Sequence, residues 1–133
     1  MSDNIAEGAV FHLTGEGISN HYHIIANVDA ATSRALLIGV ITSHVEMRKQ
    51  DAEDMDESPD TIVDVSPEQC SCLTHPSAVD CNAPLVIEKV RLQELITANN
   101  AVFKCQVPLE LTRKIRVGIR KSRSADMRAK GLL

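Results

Sequence analysis

Asp80, Cys81 and Asn82 set an acid, a thiol and an amide side by side in an otherwise apolar stretch, between Ala78-Val79 and Pro84-Leu85-Val86-Ile87. Successive side chains of an extended backbone point to opposite faces. That alternation expects Asp80 and Asn82 together on one face, as the floor of a site, with Cys81 turned into a core. A second set lies upstream. His21 and His23 are two residues apart and would share a strand face. There they could line a cleft as general acid and base or as phosphate contacts; the plainer reading is two histidines in ordinary hydrogen bonds at the mouth of a sheet. Thr42 and Ser43 place two hydroxyls where the most apolar segment of the chain ends. A third set is cationic. Arg113, Lys114, Arg116, Arg120, Lys121 and Arg123 crowd around Leu111, Ile115 and Ile119, which recur at helical spacing. They form either a docking surface for a protein or RNA partner or a solvated helix face.

The four cysteines, Cys70, Cys72, Cys81 and Cys105, read as free thiols of a reducing compartment rather than as a disulfide framework. Cys70-x-Cys72 with His75 and Cys81 offers a Cys₃His set for a metal, although the usual CxxC spacing of zinc sites is absent. His21 and His23 with an acid such as Asp80 would be the ligands of a small metal-dependent hydrolase.

The elements that must position these groups follow from periodicity and breakers. Residues 8–15 read as a short strand, with Gly15 and Gly17 marking a turn. Residues 21–28 and 35–43 form a hydrophobic antiparallel hairpin, the second strand nearly continuous in apolar residues. Residues 44–59 read as an acidic surface loop ending at Pro59, with no apolar period. Strand alternation resumes at Thr61–Val65, and 68–76 is rich in turn residues. A helix of one to two turns is expected near 90–96 and a strand over 101–107. An amphipathic helix spans 108–123, with Pro108 at its first turn, and residues 124–133 show no clear period. Five or six short strands and one capping helix predict a mainly β domain with α elements, a small closed or half-open β-barrel over 1–133.

Composition narrows the function classes. No apolar run is long enough to span a bilayer. The acidic start has no apolar signal segment, so a cytoplasmic location and no membrane partner are expected. One Tyr, two Phe and no Trp argue against a stacking platform for single-stranded nucleic acid. The net charge of −4 is divided unevenly: residues 1–103 carry −11 and residues 104–133 carry +7. Opposite halves suggest an internal electrostatic partnership or a basic tail aimed at an anionic partner.

In this order the elements resemble the PemK/MazF-like toxin family, the small SH3-like barrel ribonucleases of toxin–antitoxin modules. Gly8-Ala-Val-Phe11 is similar to the family's opening strand. The segment from Ala35 to Ser43, with its hydroxyl-bearing end, resembles the core strand. Val79-x-Cys81-x-x-Pro84 resembles the strand bearing catalytic side chains, and Val107-Pro108 with Leu111, Ile115 and Ile119 resembles the terminal helix. The resemblance implies metal-independent cleavage of single-stranded RNA by a homodimer, without a cofactor, held in check by an antitoxin. His21, His23, Thr42, Ser43, Asp80 and Asn82 are the candidate catalytic residues. The chain departs from the pattern where the family commonly has an arginine, here Asp80, and often an acid, here Asn82. That exchange leaves room for a non-catalytic barrel of the same ancestry that binds a protein or nucleic acid.

Overall fold

The computed structural model describes residues 4–14 and 21–133, so the expected Gly15–Gly17 turn lies outside the described residues. The organising element is β3 (Ala35–Thr42), whose run of Leu36, Leu37, Ile38 and Ile41 is buried on both faces of a sheet. It pairs antiparallel with β2 (His21–Ile25), as the sequence expects of the hairpin, and β2 pairs with β1 (Ala9–Leu13). Beyond β1 lies the edge strand β7 (Ala101–Gln106).

On its other side β3 divides between two partners. Its first half, Ala35–Ile38, pairs with β6 (Leu85–Glu88), and Ile41–Thr42 pair with β5 (Ser77–Asp80). Strand β4 (Ile62–Val65) then pairs with β5 and ends that side. The seven described strands thus form one open antiparallel sheet, in a chain of mixed strands and helices. The expected barrel is not closed: β4 and β7 end the sheet on opposite sides and do not pair with each other.

Two cores follow from the alternation of side chains. One face carries Val10, Ile24, Leu37, Ile41, Val63 and Val79 under Leu111, Ile115 and Ile119 of α3 (Leu109–Lys121). The opposite face carries Phe11, Leu13, Ile25, Leu36 and Ile38 against Leu92 and Leu95 of α2 (Lys89–Thr97). The apolar stripe of α3 is what the sequence shows, and burying it supplies most of a helix's stability in a protein.

Residues 44–59 are not an irregular loop. They contain α1 (Val45–Asp54), which lays Val45 and Ala52 on Ile62 and Ala78 at the β4–β5 end. A single 3₁₀ turn, Pro59–Thr61, follows, capped by the Ser58 hydroxyl accepting from Asp60 N–H. The last residues are also organised. Helix α4 (Met127–Lys130) is capped by Asp126, whose carboxylate accepts from Ala129 N–H at 2.8 Å.

The stretch from Ser77 to Pro84 departs most from expectation. It does not run on as a strand. β5 ends at Asp80, and the Asp80 carboxylate accepts from Asn82 N–H at 2.9 Å to shape a turn. Cys81 does face the core, where burial pushes its thiol up to about 12. Its Sγ donates to Ile115 O at 3.4 Å, so α3 lies close above it.

That closeness depends on Gly118. A Cβ there would stand 2.7 Å from Cys81 Sγ and 2.8 Å from the Asp60 carbonyl oxygen. Alanine normally stabilises a helix interior by about 1 kcal/mol over glycine. At Gly118 the overlap with a backbone atom reverses the sign, because overpacking a tight contact costs about 1–3 kcal/mol. Gly118→Ala is therefore expected to lower the denaturant midpoint at unchanged slope.

Candidate active site

Where β2, β3 and β5 end together, a cleft of about 240 Å³ opens to solvent. Its polar wall consists of His21, Tyr22, Ser43, Cys72, Thr74, His75 and Ser77, with Ile41 and Leu73 as the apolar part. Strand pairing explains why these residues meet. Tyr22 lies opposite Ile41, and Ile41 lies opposite Val79, so the ends of three strands align. His21 is the first residue of β2, Ser43 follows the last residue of β3, and Ser77 is the first residue of β5.

The turn before β5 brings in His75. Its Nδ1 is hydrogen-bonded to Thr74 Oγ1 at 3.0 Å, and Ser77 Oγ donates to its carbonyl oxygen at 3.2 Å. The Tyr22 ring packs against His12 at 4.9 Å between centroids. The cleft thus holds two exposed imidazoles with four hydroxyl groups and a thiol, all proton-exchanging groups and, among the described residues, none of them a lysine or arginine.

Of the residues expected from the sequence, His21 and Ser43 line this cleft and the other four do not. Thr42 is buried, and its Oγ1 accepts from His44 N–H at 3.1 Å at the entry to α1. His23 is 3% exposed, its Nδ1 bonded to His21 O at 2.9 Å. Its ring borders a small apolar cavity with Phe11, Leu13, Ile25 and Leu92. Asp80 and Asn82 do not form a shared floor, because the turn after Asp80 sends them to different partners. Asp80 lies 3.5 Å from Arg48 of α1. Asn82 donates to Thr61 Oγ1 at 2.9 Å and accepts from Ser122 Oγ at 2.6 Å, tying the 3₁₀ turn to the end of α3. These are bracing contacts. They also supply the cation that the sequence reading missed beside Asp80, from the helix it did not expect.

Burial disfavours the charged form of His23 and holds its pKa below the usual 6.5, with the bond to His21 O acting the other way. The unfolded chain then binds a proton that the folded chain refuses, so stability rises with pH through this window. It is lost as pH falls from about 6.5 through the lower folded value. His23→Leu is expected to flatten the dependence of the melting temperature on pH between neutral and mildly acidic buffers. Melting curves of the two proteins across that range check it.

The basic residues of the C-terminal part are largely engaged. Arg116 pairs with Glu7 at 2.8 Å and also donates to Ala26 O at 2.9 Å, with both side chains mostly buried. Lys121 pairs with Asp60 at 2.5 Å, and Arg113 pairs with Glu110. Arg123 donates its N–H to Glu57 at 3.0 Å and its guanidinium to Asp56 O at 2.8 Å. Lys114 and Arg120 are exposed and make no ion pair among the described residues. The opposite charges of the two parts of the chain are therefore matched by two ion pairs among the described residues, Arg116 with Glu7 and Lys121 with Asp60.

Sequence reasoning missed that His75 lines the same cleft as His21. Fifty-four positions apart in the chain, they have no local pattern in common. The available signal was a histidine in the turn just before a strand expected to carry a site. The expected Cys₃His set is also rearranged: Cys70 and Cys72 meet Cys105, while Cys81 sits in the core against α3. Among the described residues, no carboxylate or imidazole joins a third ligand around His21 and His23, so the His-x-His metal site is not assembled. Among the described residues, no helix is long and apolar enough to cross a membrane. No protein-family model matches the chain, and no curated protein matches its sequence.

Proposed function

We propose that the protein is a divergent PemK/MazF-like endoribonuclease that cleaves single-stranded RNA without a metal, using the His21–His75 cleft. The observation that carries this reading is the meeting of two solvent-facing imidazoles across one cleft rimmed by hydroxyls. Imidazole is the side chain suited to take and give protons near neutral pH. Further support comes from the order of elements: an opening strand, a core strand with a hydroxyl-bearing end, and an amphipathic terminal helix. We read the open sheet as an opened form of the small barrel of that family.

The chemistry is transphosphorylation. His75, its Nδ1 fixed by Thr74, removes the proton of a ribose 2′-hydroxyl through its other nitrogen. The oxygen attacks the adjacent phosphorus, and protonated His21 gives a proton to the departing 5′-oxygen. The products are a 2′,3′-cyclic phosphate and a 5′-hydroxyl, with no net proton consumed. Ser43 and Tyr22 donate hydrogen bonds to the phosphoryl oxygens, the role that a cation takes in more basic sites. With one imidazole needed neutral and the other protonated, the rate has a bell-shaped pH dependence. On this reading the enzyme works in the cytoplasm as a homodimer, and an antitoxin segment that occupied the cleft would silence it.

The second reading, a non-catalytic member of the same ancestry, is favoured by the absence of lysine and arginine from the described residues of the cleft wall. Incubation of a fluorescent single-stranded RNA with pure protein in chelator separates the two. Cleavage supports the enzyme; tight retention of uncut RNA or of one stoichiometric protein supports the binder.

A further inference from the structure

The three remaining thiols form a cluster that the ribonuclease reading does not use. Cys70 Sγ lies 3.3 Å from Cys72 Sγ and 3.4 Å from Cys105 Sγ, and Cys105 Sγ lies 3.9 Å from Cys72 Sγ. Cys70 is buried and the other two are half-buried.

Two backbone devices produce this convergence. Gln69 N–H and Cys70 N–H both donate to Ser66 O at 3.0 Å, Ser66 N–H donates to Gln69 Oε1 at 3.0 Å, and Leu73 N–H donates to Cys70 O at 3.0 Å. These two successive turns aim Cys70 and Cys72 at the same point.

Cys105 arrives by a β-bulge. In regular alternation it would share a face with Phe103. Instead Phe103 pairs with Phe11 and Cys105 pairs with Val10, with Lys104 left over. Phe11 belongs to the α2 face and Val10 to the α3 face. The extra residue therefore turns Cys105 across the sheet toward Cys70, the re-aiming that bulges perform.

We propose that Cys70, Cys72 and Cys105 bind one thiophilic d¹⁰ cation, with Zn²⁺ as the natural probe. Three sulfurs at tetrahedral angles around zinc, with Zn–S bonds of about 2.3 Å, stand about 3.8 Å apart. The two shorter spacings need to open by only about 0.4–0.5 Å to match, and the Cys72–Cys105 spacing already does. No imidazole or carboxylate among the described residues joins the trio, so solvent supplies the fourth ligand. Cys72 also lines the cleft, which gives that solvent ligand a way in. Without a cation, burial pushes the thiols of Cys70 and Cys72 up; the neighbouring sulfurs reinforce this at Cys70, while at Cys72 the bond with Cys70 acts the other way and Cys105 adds to the rise. Binding must then release these protons to solvent as the thiols become thiolates.

The site is independent of the ribonuclease reading, and its test uses no RNA. Reduced full-length protein is titrated with Co²⁺ under exclusion of oxygen, then with Zn²⁺. The expected result is a thiolate-to-cobalt charge-transfer band saturating at one equivalent, bleached by one equivalent of zinc, with a rise in melting temperature. Cys105→Ser, at the half-buried edge, should weaken zinc binding by more than about 100-fold, beyond the loss typical for an outer-sphere partner. Cys81→Ala should keep the band, in contrast to a site built from Cys81. A folded, reduced wild-type protein that shows no charge-transfer band and no stoichiometric zinc overturns the proposal. So does a band that survives in Cys105→Ser at full strength.

Discussion

On the proposed ribonuclease mechanism, His75→Ala and His21→Ala are each expected to lower the rate of RNA cleavage by about 10²–10⁴-fold, the usual contribution of a positioned acid or base. Both side chains are exposed, so neither change should disturb the core. The two losses should also differ in pH profile. Removing the base abolishes the acidic limb of the bell, and removing the acid abolishes the alkaline limb. The double variant should be little worse than either single one, because acid and base act as a unit. Purified proteins of equal melting temperature, compared on one fluorescent oligonucleotide from pH 5 to 9, show whether this holds.

Arg116→Met is the second large effect, and it is on stability. Arg116 Nη1 reaches both Glu7 Oε2 and Ala26 O, and Thr112 Oγ1 reaches the same carboxylate oxygen at 2.5 Å. Removing the guanidinium leaves a mostly buried carboxylate without its counter-charge and a carbonyl without its donor. Breaking a buried pair in this way costs about 3 kcal/mol. Glu7→Gln in the same background should recover much of that loss, because no uncompensated charge is then buried.

The pH dependence gives a separate check. Burial raises the pKa of Glu7, but the bonds from Thr112 and Arg116 outweigh it and hold the carboxyl below its ordinary value. A depressed pKa contributes stability that is present above the unfolded value of about 4.5. That contribution is lost as pH falls through the lower folded value. The difference between wild type and Arg116→Met should therefore shrink in acid. Denaturant titrations at neutral pH and near pH 3 measure both quantities.

The parts of the fold legible in the sequence were those with an apolar period. The β2–β3 pair and α3 announce themselves because each buries a stripe or face that the chain must hide, whereas the edge strand β7 shows in its β-forming residues although only Ala101 of it is buried. Helix α1 did not, because Ala52 is its only fully buried residue and its acidic exposed positions look like a loop. The turn after Asp80 was hidden for a different reason. The apolar residues on either side of it belong to two strands that pair with different halves of β3. A continuous apolar run cannot reveal such a fork.

The same limit explains the site. His21 and Ser43 could be proposed because they flank apolar strands. His75 joins them only through the β3–β5 pairing, a contact between distant segments. Asp80 and Asn82 looked chemical because polar groups beside apolar ones stand out in a sequence. In the fold that polarity serves Arg48, Thr61 and Ser122, and holds α1, the 3₁₀ turn and the end of α3 to one corner of the sheet. Cys105 could not have been placed with Cys70, since alternation alone sends it to the wrong face and only the bulge returns it.

The most direct test of the His21–His75 cleft as a ribonuclease site is analysis of the ends left on a single-stranded RNA by pure protein in excess chelator. The expected products are 2′,3′-cyclic phosphate and 5′-hydroxyl ends, lost together in His21→Ala and His75→Ala. Intact RNA after prolonged incubation, or cleavage undiminished in both variants, would contradict it.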